Sequence, residues 1–327
     1  MTTTRTPVPH RGASTLLSLV PSAAVLVATA LLVLSWRPDL PDSVAIHFQP
    51  EGPDGFGSVE SQVWLLVGAF GPLALGGWLL AVLAGRQSVT RRLAVGFATG
   101  ISVFGSVLVG GMLAVQRGLA DAALTPDVDP VIMVAIAAGA GVGAVCALLV
   151  PGDPHVPATD AGPVAGPRVP LGAHERAVWT GRVVSRVAIG IGGAVAVGIG
   201  VQALAQHLPW MLGLTVALVA LAAGTAVVRV TVDRTGLTAR SPLGWPRYHV
   251  PLDEVVGVAV VQVRPFGDFG GWGVRVGAGG RVGYVLRRGE ALEVERTGGR
   301  RFVVTVDDAA TGAALLATLA DRERTTA

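Results

Sequence analysis

Lysine is missing altogether from the 327 residues: all 25 basic side chains are arginine. Charge of either sign is scarce, at 14% of the chain against the roughly 25% of a soluble domain. That shortage excludes an ordinary soluble protein, and a 51% hydrophobic content with a net charge of only +3 excludes disorder. The single cysteine, Cys146, lies inside an apolar block, which excludes intrachain disulfides and thiolate metal sites. No dense basic stripe is visible, so a nucleic-acid partner is excluded too. The isoelectric point near 9.9 reflects the use of arginine in place of lysine. With the alanine, glycine and valine load, that usage points to a GC-rich bacterial genome.

What is present is apolar length. Mean hydropathy is +0.60, and a bilayer core of about 30 Å needs roughly 20 apolar residues per helix. Six blocks meet this, at 16–36, 63–83, 93–115, 131–150, 187–205 and 210–228, none with an Asp, Glu, Lys or Arg in its interior. The first is too long for the apolar core of a leader peptide and is read as a retained helix. Glycines at four-residue spacing, Gly96/Gly100 and Gly139/Gly143, allow two helices to approach closely. A pore would need polar groups at membrane depth, and the blocks have none that are charged. The predicted bundle is a packed anchor.

Loop charge sets its orientation, because basic excess marks short cytoplasmic segments. The N-terminal tail, 1–15, carries Arg5 and Arg11 without an acid, and the second loop carries Arg86, Arg91 and Arg92. The first loop, 37–62, sets Arg37 against Asp39, Asp42, Glu51, Asp54 and Glu60, and the third sets Arg117 against Asp121, Asp127 and Asp129. The Pro/Gly-rich linker 151–186 has Arg168, Arg176, Arg182 and Arg186 against Asp153, Asp160 and Glu175. Basic and acidic loops alternate, so both termini are expected in the cytoplasm of a bacterial cell with a multi-pass inner-membrane anchor.

From Arg229 the pattern changes to short strands: Val230–Asp233 and Gly236–Ala239 around a turn, then Val255–Val263, Gly273–Val276 and Val282–Leu286. Leu292–Glu295 and Phe302–Val306 follow, turning at Gly298-Gly299. Asp307-Asp308 then caps an Ala-rich helix to about Arg322. About seven strands and one helix describe a small β-barrel or sandwich capped by a helix over 229–327.

The order of the opening hairpin, the Pro251-Leu252-Asp253-Glu254-Val255 step, the Gly270-Gly271-Trp272-Gly273 turn, the 288–306 hairpin and the Ala309–Leu319 helix resembles a bacterial pleckstrin-homology-like (PH-like) domain. The resemblance implies a fold, and folds host many functions. In the first loop, Leu40-Pro41-Asp42-Ser43-Val44-Ala45-Ile46-His47-Phe48 runs into Gly52-Pro53-Asp54-Gly55-Phe56-Gly57-Ser58. This resembles domain-of-unknown-function family 1648, an L-P-x-x-[VI]-x-x-H-[FW] segment before a G-x-x-D-G-[FY] turn, and is similar to a segment of SdpI-type membrane immunity and signalling proteins. The family commonly has a basic residue after the serine, where this chain has Val59.

His47 and Asp54, with Gly52 and Gly55 around them, form the candidate interaction loop. Bracketed by Pro41, Pro50 and Pro53, the pair could face each other and take a metal, an anion or a peptide, or act as a pH-sensitive couple. The plainer expectation has His47 bonding the loop backbone and Asp54 making an Asx turn with Gly55. No third ligand has metal-site spacing, so neither metal nor cofactor is expected. His207 before Pro209-Trp210, and Trp36, Trp64 and Trp179, read as residues at the membrane surface. Arg86, Arg91, Arg92, Arg182 and Arg186 read as topology determinants that could also meet acidic lipid. Arg287-Arg288 and Arg300-Arg301 could form a basic rim, but nearby acids make a mixed solvated surface the expectation. Neither Gly277–Gly280 nor Gly192-Gly193 has the setting of a phosphate loop, and no nucleophile elbow is present.

These readings converge on a non-enzymatic sensor, immunity or scaffold protein. Its partners would be the lipid bilayer, an envelope peptide or protein at the outer loop, and a cytoplasmic protein at the PH-like domain. A small-solute or lipid transporter is the alternative and requires a polar path. A membrane enzyme would have only His47 and Asp54 to work with.

Overall fold

The computed structural model describes residues 7–49, 52–158, 162–172, 175–205, 209–244 and 246–326. Arg5, Pro50, Glu51, Asp160 and His207 lie outside the described residues, as does the Trp210 side chain. The chain divides into two compact units, Met1–Pro154 and His155–Ala327.

In the first unit, α1 (Arg11–Leu17) and α2 (Leu19–Ser35) form one long apolar run. A hairpin of β1 (Val44–Gln49) and β2 (Gly52–Gly57) follows. Ser58 then caps the next helix, its Oγ accepting from the Ser61 amide at 3.1 Å. That helix runs as α3 (Val59–Leu65), a π turn (Leu66–Phe70) and α4 (Gly71–Ala84). Pro72 cannot donate to the preceding turn, and the widened ladder at the π turn absorbs the missing bond. The turn also seats Phe70 on Gly105, where a Cβ would lie only 2.5 Å from the ring.

Helices α5 (Ser88–Ala114) and α6 (Asp129–Leu149) complete the unit. The paired glycines do what their spacing predicts. A Cβ on Gly143 would sit 2.6 Å from the Gly96 carbonyl oxygen, and one on Gly139 would sit 2.8 Å from that of Gly100. The two backbones therefore touch, which is how helices gain dispersion contact where lipid removes any hydrophobic drive.

The second unit starts at His155. Strand β3 (Trp179–Val184) leads into α7 (Arg186–Ala205) and α8 (Pro209–Ala226), and α8 runs directly into β4 (Val227–Asp233). Then come β5 (Gly236–Arg240), β6 (Arg247–Val250), β7 (Val255–Val263), a short α9 (Pro265–Phe269), β8 (Gly273–Val276), β9 (Val282–Val285), β10 (Gly289–Arg296), β11 (Arg300–Thr305) and α10 (Ala309–Thr326). One antiparallel sheet has the order β3-β4-β5-β6 and the other β7-β10-β11-β9-β8, where β11 and β9 are parallel. Between them lies α10, its Ala313, Leu316, Ala317 and Ala320 fully buried.

Among the described residues, five helical runs are long and apolar enough to cross a membrane: Arg11–Ser35, Val59–Ala84, Ser88–Ala114, Asp129–Leu149 and Arg186–Ala205. The sixth apolar block forms the shorter α8. The chain is thus a set of membrane-spanning-capable helices with a β-rich C-terminal region.

Two sequence expectations are corrected. The β-rich region does not begin at Arg229, and 151–186 is not a free linker. Trp179–Val184 pairs with Val232–Val227 as the edge strand of the first sheet. Residues 155–158 and 162–172 lie along β7 and α10: the Ala158 amide donates to the Asp253 carbonyl at 2.7 Å, Ala165 bridges to Gly257, and the Val169 amide donates to Thr318 at 3.0 Å. The physical reason is that the α7–α8 pair is inserted between two adjacent strands, so β3 finds its partner across two apolar helices. Trp179 is the second correction. It lies against Gly312 of α10 and donates Nε1–H to Asp308 at 3.4 Å, so it packs the fold rather than serving as an interfacial anchor.

Candidate functional site

His47 and Asp54 meet. The register of the first hairpin sets His47 opposite Gly55, and His47 Nδ1 lies 2.5 Å from Asp54 Oδ1 with both side chains exposed. Gly55 is required here, because a Cβ would stand 2.7 Å from the His47 Cβ. Gly52 opens β2 at φ +126, a conformation that favours glycine. The hydrogen bond from His47, then the imidazole's charge, hold the Asp54 carboxyl below the usual aspartate value of 3.8. An exposed, pre-paired imidazole and carboxylate present the second ring nitrogen and the second carboxylate oxygen to solvent. Such a pair can recognise a polar ligand at the cost of its own hydrogen bond.

Behind the pair the hairpin is fixed by a residue that sequence reasoning missed. Gln116, just beyond α5, is fully buried. Its Oε1 accepts from the Ala45 amide at 2.7 Å, while Nε2 donates to the Ala45 carbonyl at 3.1 Å and to Met112 at 2.9 Å. One amide side chain thus stands in for a neighbouring β-strand. Next to it Arg117 bonds Asp39 at 2.7 Å and lies 4.9 Å from the Trp36 ring centre, and Arg37 pairs with Glu60. Val44, Val59, Val109 and Leu113 form the apolar seat beneath.

At the far end of α5, Arg91 has no exposed surface. Its guanidinium donates to the carbonyls of Gly85 at 2.8 Å and of Pro151 and Gly152 at 3.1 Å, and pairs with Asp153 at 3.2 Å. Asp153 also accepts from the Ser88 amide at 2.6 Å. Arg91 is therefore not available to acidic lipid, the secondary possibility the sequence left open for it: it ties 151–153 to α5. Its neighbour Arg92 stays exposed.

The β-rich unit contains its own buried charge cluster. Glu254, 1% exposed, accepts from Arg296 Nε at 3.0 Å, from Arg300 at 3.2 Å and from the Val156 amide at 3.1 Å. Arg296 also donates to the Tyr248 hydroxyl at 2.9 Å, and that ring stacks on Phe302 at 4.0 Å. His155 reaches both Asp253, at 2.9 Å, and Glu254, at 3.1 Å. Burial pushes the Glu254 carboxyl up, but the charges and hydrogen bonds of Arg296, Val156 and Arg300 outweigh it and leave a net lowering. Only the placement of Glu254 between Leu252 and Val255 in the sequence hints at an acid that must be paired inside.

The alternative of a basic rim does not form, and three of the four arginines are matched by acids. Arg300 is buried on Glu254, Arg301 faces Glu293 and Glu295, and Arg287 pairs with Asp307 at 2.5 Å. Among the described residues, no three His, Cys, Asp or Glu side chains gather as a metal set. No protein-family model, curated protein or solved structure matches the chain.

Proposed function

We propose that this protein is a non-enzymatic membrane sensor, immunity or scaffold protein that presents the His47/Asp54 hairpin to a peptide or protein partner. The observation that carries the reading is the mounting of the hairpin. An exposed, pre-formed polar pair is held by a fully buried amide at one end of α5, and the same helix grips 151–153, which lead into the β-rich unit, through Arg91 at its other end. The 27 residues of α5 span roughly 40 Å, more than the hydrocarbon core of a bilayer. A rigid helix of that reach can relay a shift of the hairpin to the chain entering the second unit.

In this reading the six apolar blocks are six spans, with α8 as the last. Alternating loop charge supports placing both termini in the cytoplasm of a bacterial cell, with the hairpin outside. The likeness of Leu40–Ser58 to family 1648 supports a recognition role for the hairpin. The strand order ending in α10 supports a PH-like interaction domain for a cytoplasmic protein. A transporter fits less well, because none of the six apolar blocks carries a charged residue in its interior to line a polar path.

The test is in-cell photocrosslinking from Phe56, exposed beside the pair, and from Val260 on β7. Discrete protein adducts at both positions are expected, with the Phe56 adduct lost in His47→Ala/Asp54→Asn. Absence of adducts at both ends removes the proposal.

A further inference from the structure

Four arginines stand in one line across the first sheet of the β-rich unit. The pairing registers set Arg182 opposite Arg229, Arg229 opposite Arg240, and Arg240 opposite Arg247, one from each of β3, β4, β5 and β6. All four are exposed, while the alternate residues Val183, Val228, Ala239 and Val250 are buried. Among the described residues, none of the four forms an ion pair or a side-chain hydrogen bond. The acid on the same face of β4, Asp233, is engaged by the Thr235 amide and hydroxyl at 2.8 and 2.6 Å.

Paired residues on neighbouring strands lie about 5 Å apart, and like charges directly opposite one another destabilise a sheet. A row of four without counter-charge is a stability cost that an anionic partner would relieve. The row's position says which partner. Arg182 lies just before Arg186, where α7 begins, and Arg229 just after Ala226, where α8 ends. At about 3.3 Å per strand residue, Arg229 is roughly 10 Å from the helix end, just beyond a headgroup layer roughly 5–8 Å deep and within reach of it for a long arginine side chain. The β5–β6 turn points the same way: Leu243 at its tip is 71% exposed, and its Cδ1 would be 3.3 Å from a Cβ on Gly224, inside α8. His249, on the same face of β6 as Arg247, is held below the ordinary histidine value by burial and then by the charge of Arg247.

We propose that the Arg182–Arg229–Arg240–Arg247 row, with Leu243 beside it, seats this sheet on the anionic phospholipid headgroups of the leaflet that α7 and α8 enter. The proposal rests on the membrane reading of α7 and α8. It concerns the bilayer surface, not a pocket for a free anion.

The full chain, placed in nanodiscs of phosphatidylcholine alone or with about one-third phosphatidylglycerol, tests it by amide exchange and thermal midpoint. Phosphatidylglycerol is expected to slow exchange in β4–β6 and at the 241–246 turn and to raise the midpoint, both effects falling at high salt. Each arginine contributes about fivefold to headgroup affinity, so R240Q/R247Q loses about 25-fold and with it the protection, while R240K/R247K keeps most of it. Three results would overturn the proposal: wild-type protein indifferent to phosphatidylglycerol, full protection retained by a folded R240Q/R247Q, or the same protection from inorganic phosphate over phosphatidylcholine. The wild-type comparison needs no variant, so a misfolded double variant leaves the test intact. A chain that fractionates with membranes yet ignores phosphatidylglycerol removes only this inference, whereas one that fails to associate with membranes removes the reading beneath it as well.

Discussion

Gln116 and His47 sit close in function and far apart in energetics. Gln116 satisfies the amide and the carbonyl of Ala45, both out of contact with water. Leaving them unmet costs about 1–3 kcal/mol each. His47 is exposed, and an exposed pair contributes little to stability. Gln116→Leu is therefore expected to lower the thermal midpoint of the purified protein and speed amide exchange through 44–57. His47→Ala should leave both unchanged and affect only recognition. Equal destabilisation by the two would show that the hairpin is not held from behind. Glu254 is the second residue where burial decides the outcome. Removing its charge takes away the carboxylate that Arg296 and Arg300 share, which should cost about 3–5 kcal/mol. Because its pKa is lowered in the fold, the stability it contributes is fully present above the ordinary glutamate value of 4.5 and is lost as pH falls through the folded value. Thermal midpoints taken from neutral to acid pH should stay level and then drop below about pH 4.5 for the wild type. Glu254→Gln should start lower and run flatter.

Among the elements, local pattern was a good guide wherever partners are close in sequence. The 230–239 hairpin, the Val255–Val263 strand and the helix from Ala309 all form where alternation, β-branching and capping place them. The glycine spacings of α5 and α6 likewise become a backbone contact. Strand β3 could not be read this way, because its partner lies beyond α7 and α8 and a six-residue strand carries no mark of so distant a pairing. The segment 155–172 was illegible for a related reason: its hydrogen bonds go mostly from backbone groups, which every sequence has, to side chains such as Asp321 and Thr318. A fragment limited to 229–327 should therefore exchange its β4 and β7 amides rapidly, and a peptide of 155–185 added in trans should slow them. Full protection of the isolated fragment would show that neither the strap nor β3 completes the fold.

For the whole molecule the first question is which side each unit faces. Alkaline phosphatase fused at Gly57 and a fluorescent protein fused after Ala327 answer it together. Phosphatase activity at Gly57 with fluorescence at the C-terminus is expected. The reverse pattern would overturn the charge argument and turn the search for partners of the β-rich unit towards the envelope. The sequence by itself determined that the chain has membrane-length apolar helices ahead of a strand-rich region, since burial in lipid and the two-residue strand period are written in hydropathy. It also marked His47 and Asp54 as residues worth watching. Only the tertiary structure decided that these two touch, that Gln116 holds them, that Arg91 and Glu254 are buried charges, and that four arginines scattered from 182 to 247 share one row. Those facts depend on register and helix packing, which bring together residues far apart in the chain and which composition and periodicity cannot fix.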